Sequence, residues 1–206
     1  MNRSEEVLVP QPYDISDEDI YQAMKEIPGY LDITPGDFKE VFLHAYRHAV
    51  ERLIHSIKAK DMMTKHVVSV KKQTTLKEVA ELMAQHEISG VPVIDQDNKV
   101  IGVISEKDFL FHMSSKKITT IMGVLAECLK SKGCIILPIK QGKAEDIMST
   151  PAITVKEDAQ LIEITRLFTE KAINRVPVID QEEERLIGII SRGDIVRASF
   201  HFGGKL

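Results

Sequence analysis

The chain has 206 residues, of which 43% are hydrophobic and 28% charged. That balance belongs to a soluble globular protein and excludes disordered, fibrous and collagen-like classes. Lys+Arg against Asp+Glu total 27 to 31, and the whole net charge of −4 falls on residues 1–60, with 7 against 11, since residues 61–206 carry 20 against 20. An acidic leading segment argues against a basic arm for nucleic acid, and so against a DNA-binding regulator.

MNRSEEVLVPQPYD holds no apolar core of signal-peptide length, and no stretch of about 18 apolar residues occurs. The expected location is cytoplasmic. Cys128 and Cys134 lie six apart with no ligand-spaced partners and are expected to be reduced thiols.

In chain order, Ser16 opens SDEDIYQAMKEI, a cap followed by an acidic first turn. IPGYLDITPGD breaks that helix. Thr34 as cap and Pro35 at the first helical position then start a long helix, Gly36 to about Lys58. On it Phe38, Phe42, Leu43, Ala45, Tyr46, Ala49, Val50, Leu53, Ile54 and Ile57 cover nearly half the circumference. So broad an apolar arc is expected to be buried against the first helix, the rest of the chain or another subunit. His44, His48 and His55 lie together on the opposite face among Arg47, Arg52 and Lys58, which makes a solvated polar face a better reading than a metal site.

From Asp61 the chain repeats itself. Residues 61–96 align without gaps onto 146–181 with 14 of 36 positions identical, and IGVISEKD (101–108) returns as IGIISRGD (187–194). Each copy predicts a short strand (Val67–Val70, Ala152–Val155). A helix follows with its inner face at Leu76, Val79, Ala80 and Met83, or at Leu161, Ile164, Thr165 and Phe168. Thr75 and Glu78 form a capping box. Two apolar strands come next (Val91–Ile94 and Val100–Ile104; Val176–Ile179 and Leu186–Ile190), and a second helix begins near Asp108 and Asp194. The unit is β-α-β-β-α, twice, and units this small should pack as one module. Between them, residues near Ile121–Leu129 have helical spacing and CIILPI reads as a short strand.

These residues resemble a tandem CBS-domain pair, the module named after cystathionine β-synthase. MMT, SGVPVIDQDNKVIGVISEKDF, and IMSTPAITV with NRVPVIDQEEERLIGIISRGDI carry the resemblance over about 61–113 and 144–199. The implied class is α/β (α+β), two β-α-β-β-α repeats packed about a pseudo-two-fold axis. The implied segments are a helical 1–60, repeat one at 61–113, a linker at 114–143, repeat two at 144–199 and a tail at 200–206. The resemblance further implies a homodimer and a regulatory role in binding AMP, ADP, ATP or S-adenosylmethionine in two clefts between the copies.

Carried over by position, Ser105 and Ser191 would face phosphate or ribose, and Asp108 and Asp194 would accept from ribose hydroxyls. Val67, Val68, Ala152 and Ile153 would read adenine through their backbone. Gly90, Val91, Pro92, Arg175, Val176 and Pro177 would wall the base pocket, with Arg192 beside the second motif. The chemistry is compatible: an ionised Asp accepts from a cis-diol, and a helix N-terminus favours an anion. Ser or Asp before a helix is also an ordinary cap, and both roles can coexist. Because Arg175 and Arg192 flank the second motif where the first has Gly90 and Glu106, the Asp194 cleft is expected to bind phosphorylated adenosine more tightly.

No nucleophile elbow, phosphate-cradling glycine loop or zinc-hydrolase pattern is present, so a non-enzymatic sensor is expected. The alternative is a ligand-free interaction module that dimerises or docks on a client protein.

Overall fold

The computed structural model describes residues 15–29, 32–113, 122, 123, 126 and 142–203. The chain falls into two compact units, the first ending at Ile57 and the second, apart from Gln160–Ile162, running from Lys58 on. The linker helix and the CIILPI strand lie outside the described residues, as do both cysteines, although Met122, Gly123 and Ala126 are helical.

The first unit is a pair of helices, α1 (Asp17–Glu26) and α2 (Pro35–Ser56). Ser16 caps α1 reciprocally with Asp19, and Thr34 caps α2 by accepting from the Asp37 N–H, with Pro35 in the first turn as its sequence requires. Between them Gly29 takes φ +114°, a conformation open to glycine. Lys39 pairs with Asp17 at 2.7 Å across the two helices. The apolar arc of α2 is only partly covered: Val50 is buried, but Phe42, stacked on Tyr46, is 36% exposed, and Val41 at the edge of the arc is 61% exposed. The ten-residue α1 is too short to shield the twenty-two residues of α2, so within this chain the arc stays partly open, as the expectation of cover by another subunit allows.

The second unit holds both repeats. Repeat one comprises α3 (Ala59–Met62), β1 (Val70–Lys71), α4 (Leu76–Gln85), β2 (Gly90–Ile94), β3 (Val100–Ser105) and α5 (Glu106–Met113). Repeat two comprises α6 (Ala144–Ile147), β4 (Val155–Lys156), α7 (Leu161–Glu170), β5 (Arg175–Ile179), β6 (Leu186–Ser191) and α8 (Arg192–Gly203). Each sheet has three strands in chain order, the first parallel and the last antiparallel to the middle one. β1 and β4 keep only two residues apiece, so Val67, Val68, Ala152 and Ile153 lie ahead of the strands rather than in them.

Helix α4 starts on the expected capping box, with the Glu78 N–H donating to Thr75 Oγ1 at 3.2 Å and the Thr75 N–H to Glu78 Oε2 at 3.0 Å. Leu76, Val79 and Met83 are buried, whereas Ala80 and Thr165, expected on the inner faces, are exposed. The helices are rotated so that the larger Leu82 and Leu167 pack on the cores instead. That choice buries more apolar area than alanine or threonine offers.

The start of each repeat belongs to the other one's core. Ala59 is buried with Val155, Ile164, Phe168, Val176, Val178 and Ile190, and Ala144 with Val70, Val79, Met83, Val91, Val93 and Ile104. The Ala59 N–H donates to Ala159 O at 2.8 Å, and the Ala144 N–H to Thr74 O at 2.9 Å. Thr64 bridges Ile189 and Ser149 bridges Val103. Met63 lies over Gly188 and Met148 over Gly102, in space that a Cβ on either glycine would need. This reciprocal strapping makes the two repeats one body and places the end of β3 beside the approach to β4.

Candidate ligand cleft

Strand β3 ends at Ser105, and α5 begins at once. Asp108, on the first turn, folds back so that its Oδ2 accepts from the Ser105 N–H and from Ser105 Oγ, both at 2.6 Å. Asp194 does the same to Ser191 at 2.7 and 2.5 Å. Each serine hydroxyl is thus a donor to its own aspartate, and the cap role expected for the Ser and Asp pair is present in both copies. One carboxylate oxygen is spent on the turn, leaving the other to act outward.

At that second oxygen the copies differ. Asp108 Oδ1 meets Ser149 Oγ at 3.3 Å, a long contact, and Asp108 is half-buried. Asp194 is only 7% exposed, and its Oδ1 receives Arg197 Nη2 at 2.5 Å. The second grip is therefore engaged by its own helix.

Asp108 faces a cleft of about 470 Å³ whose other wall comes from repeat two. Volumes of about 300–1,000 Å³ are usual for small-molecule sites. Ser105 and Asp108 stand on one side, and Ala152, Ile153, Asn174 and Arg175 on the other. Of the residues expected in a site, these five of the sixteen lining positions are brought together: Ser105, Asp108, Ala152, Ile153 and Arg175. The reason is the strapping above, which brings the residues preceding β4 across the end of β3.

Arg175 is the residue whose position its own sequence neighbours misstate. It stands beside the second motif in the sequence, yet its side chain reaches into the first cleft, where Nη2 donates to Ser89 Oγ. Nη1 is enclosed and has no hydrogen-bond partner among the described residues. Burial lowers the guanidinium pKa from its ordinary value, and the carboxylates of Glu106 and Asp108 act in the opposite sense. Arg192, the other cation, donates instead to the carbonyls of Phe168 and Ile173 near the end of α7. The premise that two arginines serve the Asp194 cleft is thus corrected: one belongs to the Asp108 cleft and the other satisfies backbone carbonyls.

Val91, Pro92, Val176 and Pro177, expected on the pocket wall, are fully buried in β2 and β5 and belong to the cores. Gly90 is also buried, beneath the Arg175 guanidinium. Val67 and Val68 are half-buried ahead of β1, the position in repeat one that Ala152 and Ile153 hold in repeat two. Glu106, Phe111 and Ser149 line the cleft without having been expected there. For Glu106 the signal was present in the charge difference at the aligned Arg192, and Ser149 lies in the IMSTPAITV stretch; Phe111 carries no motif. Among the described residues no cluster of His, Cys, Asp or Glu could hold a metal, and no helix is long and apolar enough to cross a membrane.

The family model of the CBS domain matches residues 59–115 and 144–201, more than half of the chain. The chain belongs to the CBS-domain family. The uncharacterized protein MJ1426 of Methanocaldococcus jannaschii is 33% identical over 156 residues, covering 68% of this chain and 89% of that one. The chloroplastic CBS domain-containing protein CBSX1 of Arabidopsis thaliana is also 33% identical, over 150 residues, and the match spans 68% of this chain but 62% of the plant protein. Among solved structures, that of CBSX2 in complex with AMP superposes with a TM-score of 0.56 at 28% identity, covering 71% of this chain and 98% of that one. The two tandem repeats are those of a CBS pair.

Proposed function

We propose that this CBS pair is a regulatory, non-enzymatic sensor of adenosine nucleotides, with the Asp108 cleft as its principal site. One observation carries the reading: a carboxylate oriented by Ser105 stands across a ligand-sized cleft from an enclosed guanidinium whose Nη1 has no partner among the described residues. The first suits a ribose cis-diol, and the second suits a phosphate. The AMP complex of CBSX2, a structure of the same fold, supports the choice of an adenosine ligand. In this reading the backbone at Ala152 and Ile153 receives the base, and Arg175 moves from Ser89 to the phosphate.

A ligand in this cleft touches both repeats, so it shifts their relative geometry by its differential affinity for the two arrangements. The output is a change in a homodimer or in a client protein. Thermal shift against AMP, ADP, ATP and S-adenosylmethionine tests the proposal, because a ligand at 100 times its Kd stabilises by about 2.7 kcal/mol. An upward shift with an adenosine ligand is expected, and none with any of the four would sink it.

The exposed Tyr21, Val41 and Phe42 of the first unit favour a second reading, a ligand-free module that dimerises or docks on a client through these helices. An absence of thermal shift, together with a concentration-dependent mass abolished by Val41→Glu, would support that reading instead.

A further inference from the structure

The charges around the Asp108 cleft are balanced. Lys107 and Arg175 supply two cations, and Glu106 and Asp108 two anions. Asp108 has one oxygen committed to Ser105, and in the sensor reading its other oxygen meets the ribose. That leaves Glu106 as the anion flanking the place where a phosphate would meet Arg175.

The aligned position in repeat two is Arg192, so the first residue of the turn carries opposite charge in the two copies. Arg192 is committed to two backbone carbonyls, while Glu106 is exposed and lines the cleft. Glu106 also acts more strongly on the charge of Arg175 than Asp108 does.

From this arrangement we infer that the Asp108 cleft selects adenosine ligands of low charge, a nucleoside or nucleoside monophosphate in preference to a triphosphate, and that Glu106 is the residue that sets the preference. The inference rests on the sensor reading above. One enclosed guanidinium can satisfy one phosphate, and that phosphate screens Arg175 from Glu106. Further phosphates add negative charge beside Glu106, where the cleft offers only the exposed Lys107 in compensation. Like charges repel through a medium of intermediate dielectric, which penalises the triphosphate most.

Calorimetric titration of the full chain with adenosine, AMP, ADP and ATP, free of divalent cations, tests this at two salt concentrations. In the wild type, AMP should bind at least tenfold tighter than ATP. In Glu106→Gln the gap should fall below threefold, chiefly through tighter ATP binding, and high salt should also narrow it. ATP binding as tightly as AMP in the wild type, or a gap untouched by Glu106→Gln in a protein that melts like the wild type, would overturn the selectivity while leaving the sensor reading standing. Binding of none of the four would overturn the sensor reading, and the selectivity with it.

Discussion

The guanidinium of Arg175 occupies the space that a side chain on Gly90 would need, and these two residues are each other's counterparts in the repeat. A built Cβ on Gly90 would overlap Arg175 Nη1 and lie 2.6 Å from the carbonyl oxygen of Ile104. One copy's glycine is thus the seat of the other copy's arginine. Gly90→Ala should therefore displace Arg175 and strain the β2 and β3 pairing, costing about 1–3 kcal/mol by overpacking. Chemical denaturation should show the loss, and Gly90→Ala/Arg175→Ala should recover only part of it because the Ile104 carbonyl stays in place. Full recovery would mean that the backbone contact costs nothing.

Removing the two aspartates should have unequal effects on ligand binding. Asp108 keeps an outward oxygen and Asp194 does not, so Asp108→Ala should weaken AMP binding by ~10–100-fold, the range for losing a charge-assisted hydrogen bond of about 1.5–3 kcal/mol. Asp194→Ala should change the affinity of that first site by less than about threefold. A larger loss from Asp194→Ala in calorimetry would return the principal site to the second cleft.

Arg197 holds the second grip closed on its own aspartate. The Arg197 side chain is 73% exposed but that of Asp194 only 8%, so Arg197→Ala leaves a nearly buried carboxylate oxygen without its partner and should lower stability by about 1–3 kcal/mol. It also frees Asp194 Oδ1, and a second, weaker binding equivalent should enter the titration. Unchanged stoichiometry would show that Arg197 is not what closes that cleft.

The reciprocal methionine straps should be coupled to their glycines. A Cβ on Gly102 would lie 2.7 Å from Met148 Sδ, and one on Gly188 2.8 Å from Met63 Cγ. Gly102→Ala should destabilise by about 1–3 kcal/mol. In a double-mutant cycle, Gly102→Ala/Met148→Ala should lose less than the sum of the single changes, since the truncated side chain vacates the space. Additive losses would deny the contact.

Acid should loosen α4. The Thr75 N–H and then its hydroxyl hold the Glu78 carboxyl below its ordinary value of 4.5. A carboxylate whose pKa is lower in the folded than in the unfolded state adds stability that is complete above the unfolded value and lost as pH falls through the folded one. Below pH 4.5, wild-type denaturation midpoints should therefore drop more steeply than those of Glu78→Gln. Parallel curves in that range would remove the cap from the account.

What the sequence determined by itself was the repeat and everything local to it. The 14 identities in 36 positions, the caps at Ser16, Thr34 and Thr75, and the apolar strands around Val91 and Val176 are short-range signals, and they specified two β-α-β-β-α units of the CBS family. The Ser and Asp turn was legible for the same reason, because its partners are three residues apart. The tertiary structure decided which residues share a cleft. Arg175 aligns with Gly90 and neighbours the second motif, yet the exchange of α3 and α6 between cores carries it to Asp108, more than sixty residues away in the chain. Likewise Asp108 and Asp194 are identical in motif but differ in what meets their second oxygen, Ser149 in one copy and Arg197 in the other. Duplication repeats a backbone and its hydrogen bonds, whereas a cleft is built from side chains of both copies, and those are free to differ.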